Sequence, residues 1–142
     1  MHTRNLALVL RILAFVVSLV GALHLALGVR ADVLLGARAP AAAITDPTLD
    51  SQGRFHGVSF AVYGVLLLLG ASDVRRYAVA LRWALWVIFA AGLARLVSVA
   101  IYGFPPPPVV VLLVVELVVP PALIWWLSRV VNVSKTDYAG GY

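Results

Sequence analysis

The stretch GLARLVSVAIYGFPPPPVVVLLVVELVVPP, residues Gly92 to Pro121, decides how the chain folds. It is apolar apart from Arg95 and Glu116 and is broken in the middle by GFPPPP. Each flank is long enough to cross a bilayer as a helix, which takes about 20 residues at ~1.5 Å rise per residue. Proline has no backbone N–H and a fixed φ, so four in a row stop either helix from running through. The stretch therefore reads as an antiparallel helical hairpin in a membrane. Arg95 lies eight residues before Gly103, and Glu116 lies seven after Val109. Both then sit about 11–12 Å below the turn. A lone charge in hydrocarbon costs at least ~2.5–3.5 kcal/mol on insertion scales. The spacing around the turn thus predicts that Arg95 pairs with Glu116 through a charge-assisted hydrogen bond, single or two-pronged.

The rest of the chain is of the same kind. Of 142 residues, 63% are hydrophobic and 12% are charged, against roughly 25% charged in soluble domains. Mean hydropathy is +1.00. The fold class is all-α: a single integral membrane domain, a four-helix bundle with spans near residues 6–29, 55–71, 83–104 and 109–127. Barrel strands are excluded because the apolar runs are long and do not alternate. An external loop covers 30–54, and a tail over 128–142 ends in VSKTDYAGGY, whose composition predicts disorder. Arg4 and Arg11 ahead of the first run imitate a secretory signal, but Val29-Arg30-Ala31 is a poor cleavage site, so an uncleaved span is expected.

Lys and Arg set the orientation. One side holds Arg4, Arg11, Arg75, Arg76, Arg82, Arg129 and Lys135, the other only Arg30, Arg38 and Arg54. The rule that cytoplasmic loops are the basic ones puts both ends of the chain in the cytoplasm and the protein in the cytoplasmic (inner) membrane as a multi-pass protein. Trp83, Trp86, Trp125 and Trp126 fall at the same level, where aromatic belts lie, and Tyr102 and Phe104 mark the opposite surface. The net charge of +5 does not indicate nucleic acid, because its cations flank apolar runs and form no patch. There is no cysteine, which excludes disulfides, thiolate metal sites and cysteine nucleophiles.

The remaining polar residues gather toward the external side. His24 lies near the end of span one, and Asp50, Arg54 and His56 surround the start of span two. Ser98 and Tyr102 share a helix face with Arg95. Asp50 or Ser51 is expected to cap the second helix, with an Asp50–Arg54 pair at i, i+4 compatible with that role. Gly57, Ala61 and Gly64 form a stripe of small residues on span two, and Ser18, Gly21 and Gly28 lie on span one. Such residues let membrane helices approach closely. Pro120 and Pro121 are expected to kink span four below Glu116.

These residues also carry a resemblance. DSQGRFHGVSFAVYG, GLARLVSVAIYGFP and the glutamate of VVEL resemble a family of small four-span bacterial membrane proteins catalogued as domain of unknown function 4345. The matching positions are Asp50, Arg54, Phe55, Gly92, Arg95, Ser98, Gly103, Pro105 and Glu116. His56 and the run of four prolines depart from the pattern. The resemblance implies a four-span fold and a polar cluster, and brings no activity.

Two readings of the cluster stay open. Arg95 and Glu116 are either a structural ion pair or, with Arg54, His56, His24 and Asp50, a site for a polar headgroup. The histidines lack the spacing of a haem or metal site, so no cofactor and no metal are expected. No nucleophile elbow, catalytic triad, phosphate loop or dinucleotide motif is present, and no catalytic residue is assigned. The leading expectation is a non-enzymatic accessory subunit or binder of a lipid or amphipathic ligand, with a membrane-protein partner or a homo-oligomer as its companion. The alternative is an intramembrane isomerase- or hydrolase-like enzyme on a lipid-like substrate, with Glu116 or a histidine as acid or base. A small transporter is a weaker third, since four spans leave little room for a pathway.

Overall fold

A computed structural model describes the backbone of residues 2–139 and the side chains of residues 3–132. It consists of six helices: α1 (His2–Leu27), α2 (Arg30–Leu34), α3 (Ala41–Ile44), α4 (Pro47–Ser72), α5 (Ala78–Tyr102) and α6 (Pro107–Ala139). The four long ones are long and apolar enough to cross a membrane. The short α2 and α3 lie in the loop between the first two, and no strand occurs among the described residues.

Local chemistry sets the helix ends. Gly28 closes α1 at φ +56, with its N–H on the His24 carbonyl at 2.7 Å. A positive φ is cheap only for glycine. α4 begins at Pro47, ahead of the apolar span expected from residue 55, and its cap is Asp46 rather than the expected Asp50 or Ser51. The Asp46 carboxylate accepts from the N–H groups of Thr48 (2.8 Å) and Leu49 (3.0 Å). Pro47 occupies the first helical position, where a missing N–H costs nothing. α5 ends at Gly103, with φ +85 and an N–H on the Val99 carbonyl at 2.8 Å.

The proline run divides in two. Pro105 and Pro106 lie in the turn, whereas Pro107 and Pro108 form the first turn of α6. The Pro106 carbonyl accepts from Val109 (2.9 Å) and Val110 (3.1 Å). α6 then passes through Pro120 and Pro121 without ending, and it stays helical to Ala139 where a disordered tail is expected from composition. The last three residues lie outside the described ones.

The long helices form two pairs, α1 on α4 and α5 on α6. On α4, Gly57 and Gly64 lie against α1 so closely that any side chain would strike its backbone. A Cβ at Gly57 would fall 2.3 Å from the Leu25 nitrogen, and one at Gly64 2.8 Å from the Ala14 carbonyl oxygen. Glycine stripes thus replace side-chain packing by direct backbone approach. The pairs meet mainly at the end of the bundle that holds both ends of the chain. Leu6, Leu10, Leu67, Leu81, Leu85 and Leu127 are fully buried there in one cluster. Toward the loop end no comparable cluster joins the pairs among the described residues, and a cleft lies between them.

Candidate functional site

The cleft is lined by side chains from all four long helices. Val16 and Val20 come from α1, His56, Ser59, Phe60 and Tyr63 from α4, Val87 and Ala91 from α5, and Leu112 from α6. Arg95 and Glu116 complete the wall. The volume is about 310 Å³. Val16, Phe60 and Val87 are exposed, so the cleft opens sideways toward the surrounding lipid. At its foot the Tyr63 hydroxyl donates to the Ala84 carbonyl and ties α4 to α5. Neither Ser59 nor Tyr63 stands out in the sequence, because a hydroxyl in an apolar run usually returns to its own helix. Ser59 does so, donating to the Phe55 carbonyl at 3.0 Å, whereas Tyr63 crosses between helices.

Arg95 lies about two turns before the end of α5, and its Nε donates to Glu116 Oε2 at 2.7 Å. Gly92, one turn earlier, makes this possible. It brings α6 so close that a Cβ there would lie 3.1 Å from the Glu116 Cβ. Pro120 and Pro121 have no N–H for the carbonyls of Glu116 and Leu117, four residues earlier, so acceptors are freed at the same depth. The pair uses one of the five N–H donors of the guanidinium. Among the described residues, Nη1 and Nη2 donate to no protein atom. The Arg95 side chain is 38% exposed, against 14% for Glu116, so the guanidinium is the half of the pair open to a ligand.

Beyond Arg95, toward the turn, a second cavity of about 240 Å³ is bounded by Arg95, Ser98, Tyr102, Pro105 and Leu113. Arg95 is common to both cavities.

The other candidate residues are not gathered around it. Arg54 donates from Nε to Asp50 Oδ2 at 2.7 Å and from Nη1 to the Leu25 and Ala26 carbonyls at 2.9 and 3.2 Å. It caps the last turn of α1, where free carbonyls favour a cation. Asp50 holds Arg54 in that position and packs over Gly28, where a Cβ would meet its Oδ1 at 1.9 Å. His24 donates from Nδ1 to the Val20 carbonyl at 2.9 Å, and its Nε2 lies 3.2 Å from Asp32 Oδ1 on α2. Asp32 goes unnoticed in the sequence because nothing there says that α2 folds back over α1. His56 lines the cleft with its ring edge-on to Phe55, 5.8 Å between centroids. The layer of polar residues thus resolves into an Arg95–Glu116–His56 cleft and two separate pairs above it.

No group of three or more metal-ligating side chains is present among the described residues. The sequence profile of a family described as a domain of unknown function, DUF4345, matches residues 6–127. The chain belongs to the DUF4345 family. The match runs from residue 6 in α1 to residue 127 in α6, and so includes every wall of the cleft. No curated protein and no solved structure matches the chain. The Asp-x-x-x-Arg segment by which this member resembles its family has a physical content here: Arg54 clamps the end of α1, and Asp50 clamps Arg54.

Proposed function

We propose that this DUF4345 protein is a non-enzymatic binder of an amphipathic, lipid-like ligand, held in the cleft between its two helix pairs. One observation carries this reading. A guanidinium inside the span keeps four N–H donors without an acceptor among the described residues and faces an apolar cleft that opens sideways. Donors left unsatisfied in hydrocarbon are costly, so the site is completed by an acceptor from outside the chain. The acid–base alternative rests on His56 and Glu116 sharing the cleft. The Glu116 carboxylate is already committed to Arg95, which favours binding over proton transfer.

Native mass spectrometry of the gently solubilised protein tests this. The expected spectrum shows one chain carrying a lipid-sized adduct. A bare monomer overturns the reading, and so does a dimer without adduct, which would give the cleft to a second copy of the chain.

The seven-to-three division of Lys and Arg supports a cytoplasmic-membrane location with both ends of the chain inside. Arg129 stacking over Trp125 at 4.6 Å adds a cation and an aromatic anchor at that level. The sequence has no cysteine, so single cysteines report orientation without background. A membrane-impermeant maleimide is expected to label Thr45→Cys in intact cells, and Ser72→Cys only after permeabilisation. The reverse pattern overturns the orientation.

A further inference from the structure

We propose that the ligand is a single-chain amphiphile with a phosphate or carboxylate head. The head would sit on the Nη edge of Arg95 and the chain in the apolar cleft. This rests on the binding reading above and specifies the class of ligand.

The geometry of Arg95 comes first. Glu116 takes Nε, which leaves the end of the guanidinium, Nη1 and Nη2 side by side. That edge matches two oxygens of one anion, and its planar fork favours phosphate or carboxylate over a neutral group. Glu116 is thus a positioning residue. It fixes the guanidinium plane and keeps the far edge free.

The two cavities differ in kind. The outer one places the Ser98 and Tyr102 hydroxyls on the same helix face as Arg95, between the guanidinium and the turn. The inner one is walled mostly by valine, leucine, isoleucine, alanine and phenylalanine, with His56, Ser59, Tyr63 and the Arg95–Glu116 pair as its polar members. A charged head belongs in the first and a hydrocarbon chain in the second, with Arg95 at the junction. Ligand pockets run from about 300 to 1,000 Å³. At about 310 Å³ the inner cavity is at the low end, which suits one chain and not two. A cationic head is disfavoured because the accessible half of the ion pair is the arginine.

The test is calorimetric titration of the full chain in a neutral maltoside detergent with three probes: dodecyl phosphate, dodecanol and inorganic phosphate. Dodecyl phosphate is expected to bind one per chain, at least tenfold tighter than dodecanol and a hundredfold tighter than inorganic phosphate. Arg95→Gln is expected to abolish the preference for dodecyl phosphate over dodecanol while leaving dodecanol unchanged. Ala91→Phe, at an exposed position in the cleft wall, is expected to weaken both dodecyl probes at least tenfold. If Arg95→Gln does not accumulate, Arg95→Lys keeps the charge beside Glu116, removes the two-pronged edge and is expected to lose the same preference. An undiminished preference in Arg95→Gln or Arg95→Lys overturns the head assignment. Inorganic phosphate binding as tightly as dodecyl phosphate overturns the chain assignment and makes this a free-anion site. Failure of both dodecyl probes to bind the unaltered protein overturns the binding reading itself.

Discussion

Gly57→Ala is expected to destabilise the bundle by about 2–3 kcal/mol, and Gly70→Ala by only about 1 kcal/mol. The two substitutions add the same methyl group to the same helix, and alanine improves helix propensity by roughly 0.5–1 kcal/mol at either position. What differs is the obstacle. At Gly57 the new Cβ would sit 2.3 Å from the Leu25 nitrogen and 2.8 Å from the Gly21 oxygen, both backbone atoms of α1. Only separation of the helices relieves that contact, and separation also opens the neighbouring Gly21–Ala61 approach, where a Cβ would lie 2.4 Å from the Ala61 nitrogen. At Gly70 the obstacle is a single side chain, Leu81 Cδ2 at 2.5 Å and Cγ at 2.9 Å, and although Leu81 is buried it can yield by repacking without separation of the helices. Reversible unfolding in mixed micelles measures both. Equal losses would mean that close backbone approach is not what holds α1 to α4.

How much of this was legible in the sequence depends on the range of the interaction. The four long helices follow from hydropathy and length, because the bilayer imposes one scale on every span. The hairpin follows from GFPPPP, and the hairpin sets Arg95 and Glu116 at one depth without any knowledge of the other helices. The small-residue stripes were visible too, since periodicity alone puts Gly57, Ala61 and Gly64 on one face. The start of α4 was legible only to within a few residues, because TDPTLDSQGRF holds several residues able to cap a helix and hydropathy does not choose between Asp46 and the later Asp50 or Ser51. Contacts made across the long loop were out of reach. That Arg54 reaches the α1 carbonyls and that Asp32 reaches His24 depends on how residues 28–46 fold back, which no local pattern specifies. The cleft was illegible for the same reason. It exists because the leucines that join the pairs sit at one end only, and the sequence shows those leucines without showing which partners they meet.

Exchanging the two charges, Arg95→Glu together with Glu116→Arg, is expected to separate what the pair does for the fold from what it does for a ligand. Either single reversal puts like charges side by side at a distance of a hydrogen bond. Breaking a buried pair costs about 3–5 kcal/mol. With the arginine 38% exposed, the low end of that range applies, about 3 kcal/mol. The double reversal restores an opposite pair between α5 and α6, so the losses should fall short of additive by about 0.5–3 kcal/mol. Recovery should be incomplete, since α6 runs close against Gly92 beside residue 116 and an arginine there is longer than the glutamate it replaces. Strict additivity in the same unfolding assay would refute direct contact between the side chains. The ligand should respond differently. In the double variant the guanidinium starts from α6, and its free edge no longer faces Ser98 and Tyr102 from their own helix. Stability should therefore return in part while the preference for dodecyl phosphate over dodecanol does not. If both return together, the anion recognises only the presence of a paired arginine in the cleft, and the placement of Arg95 on α5 carries no specificity.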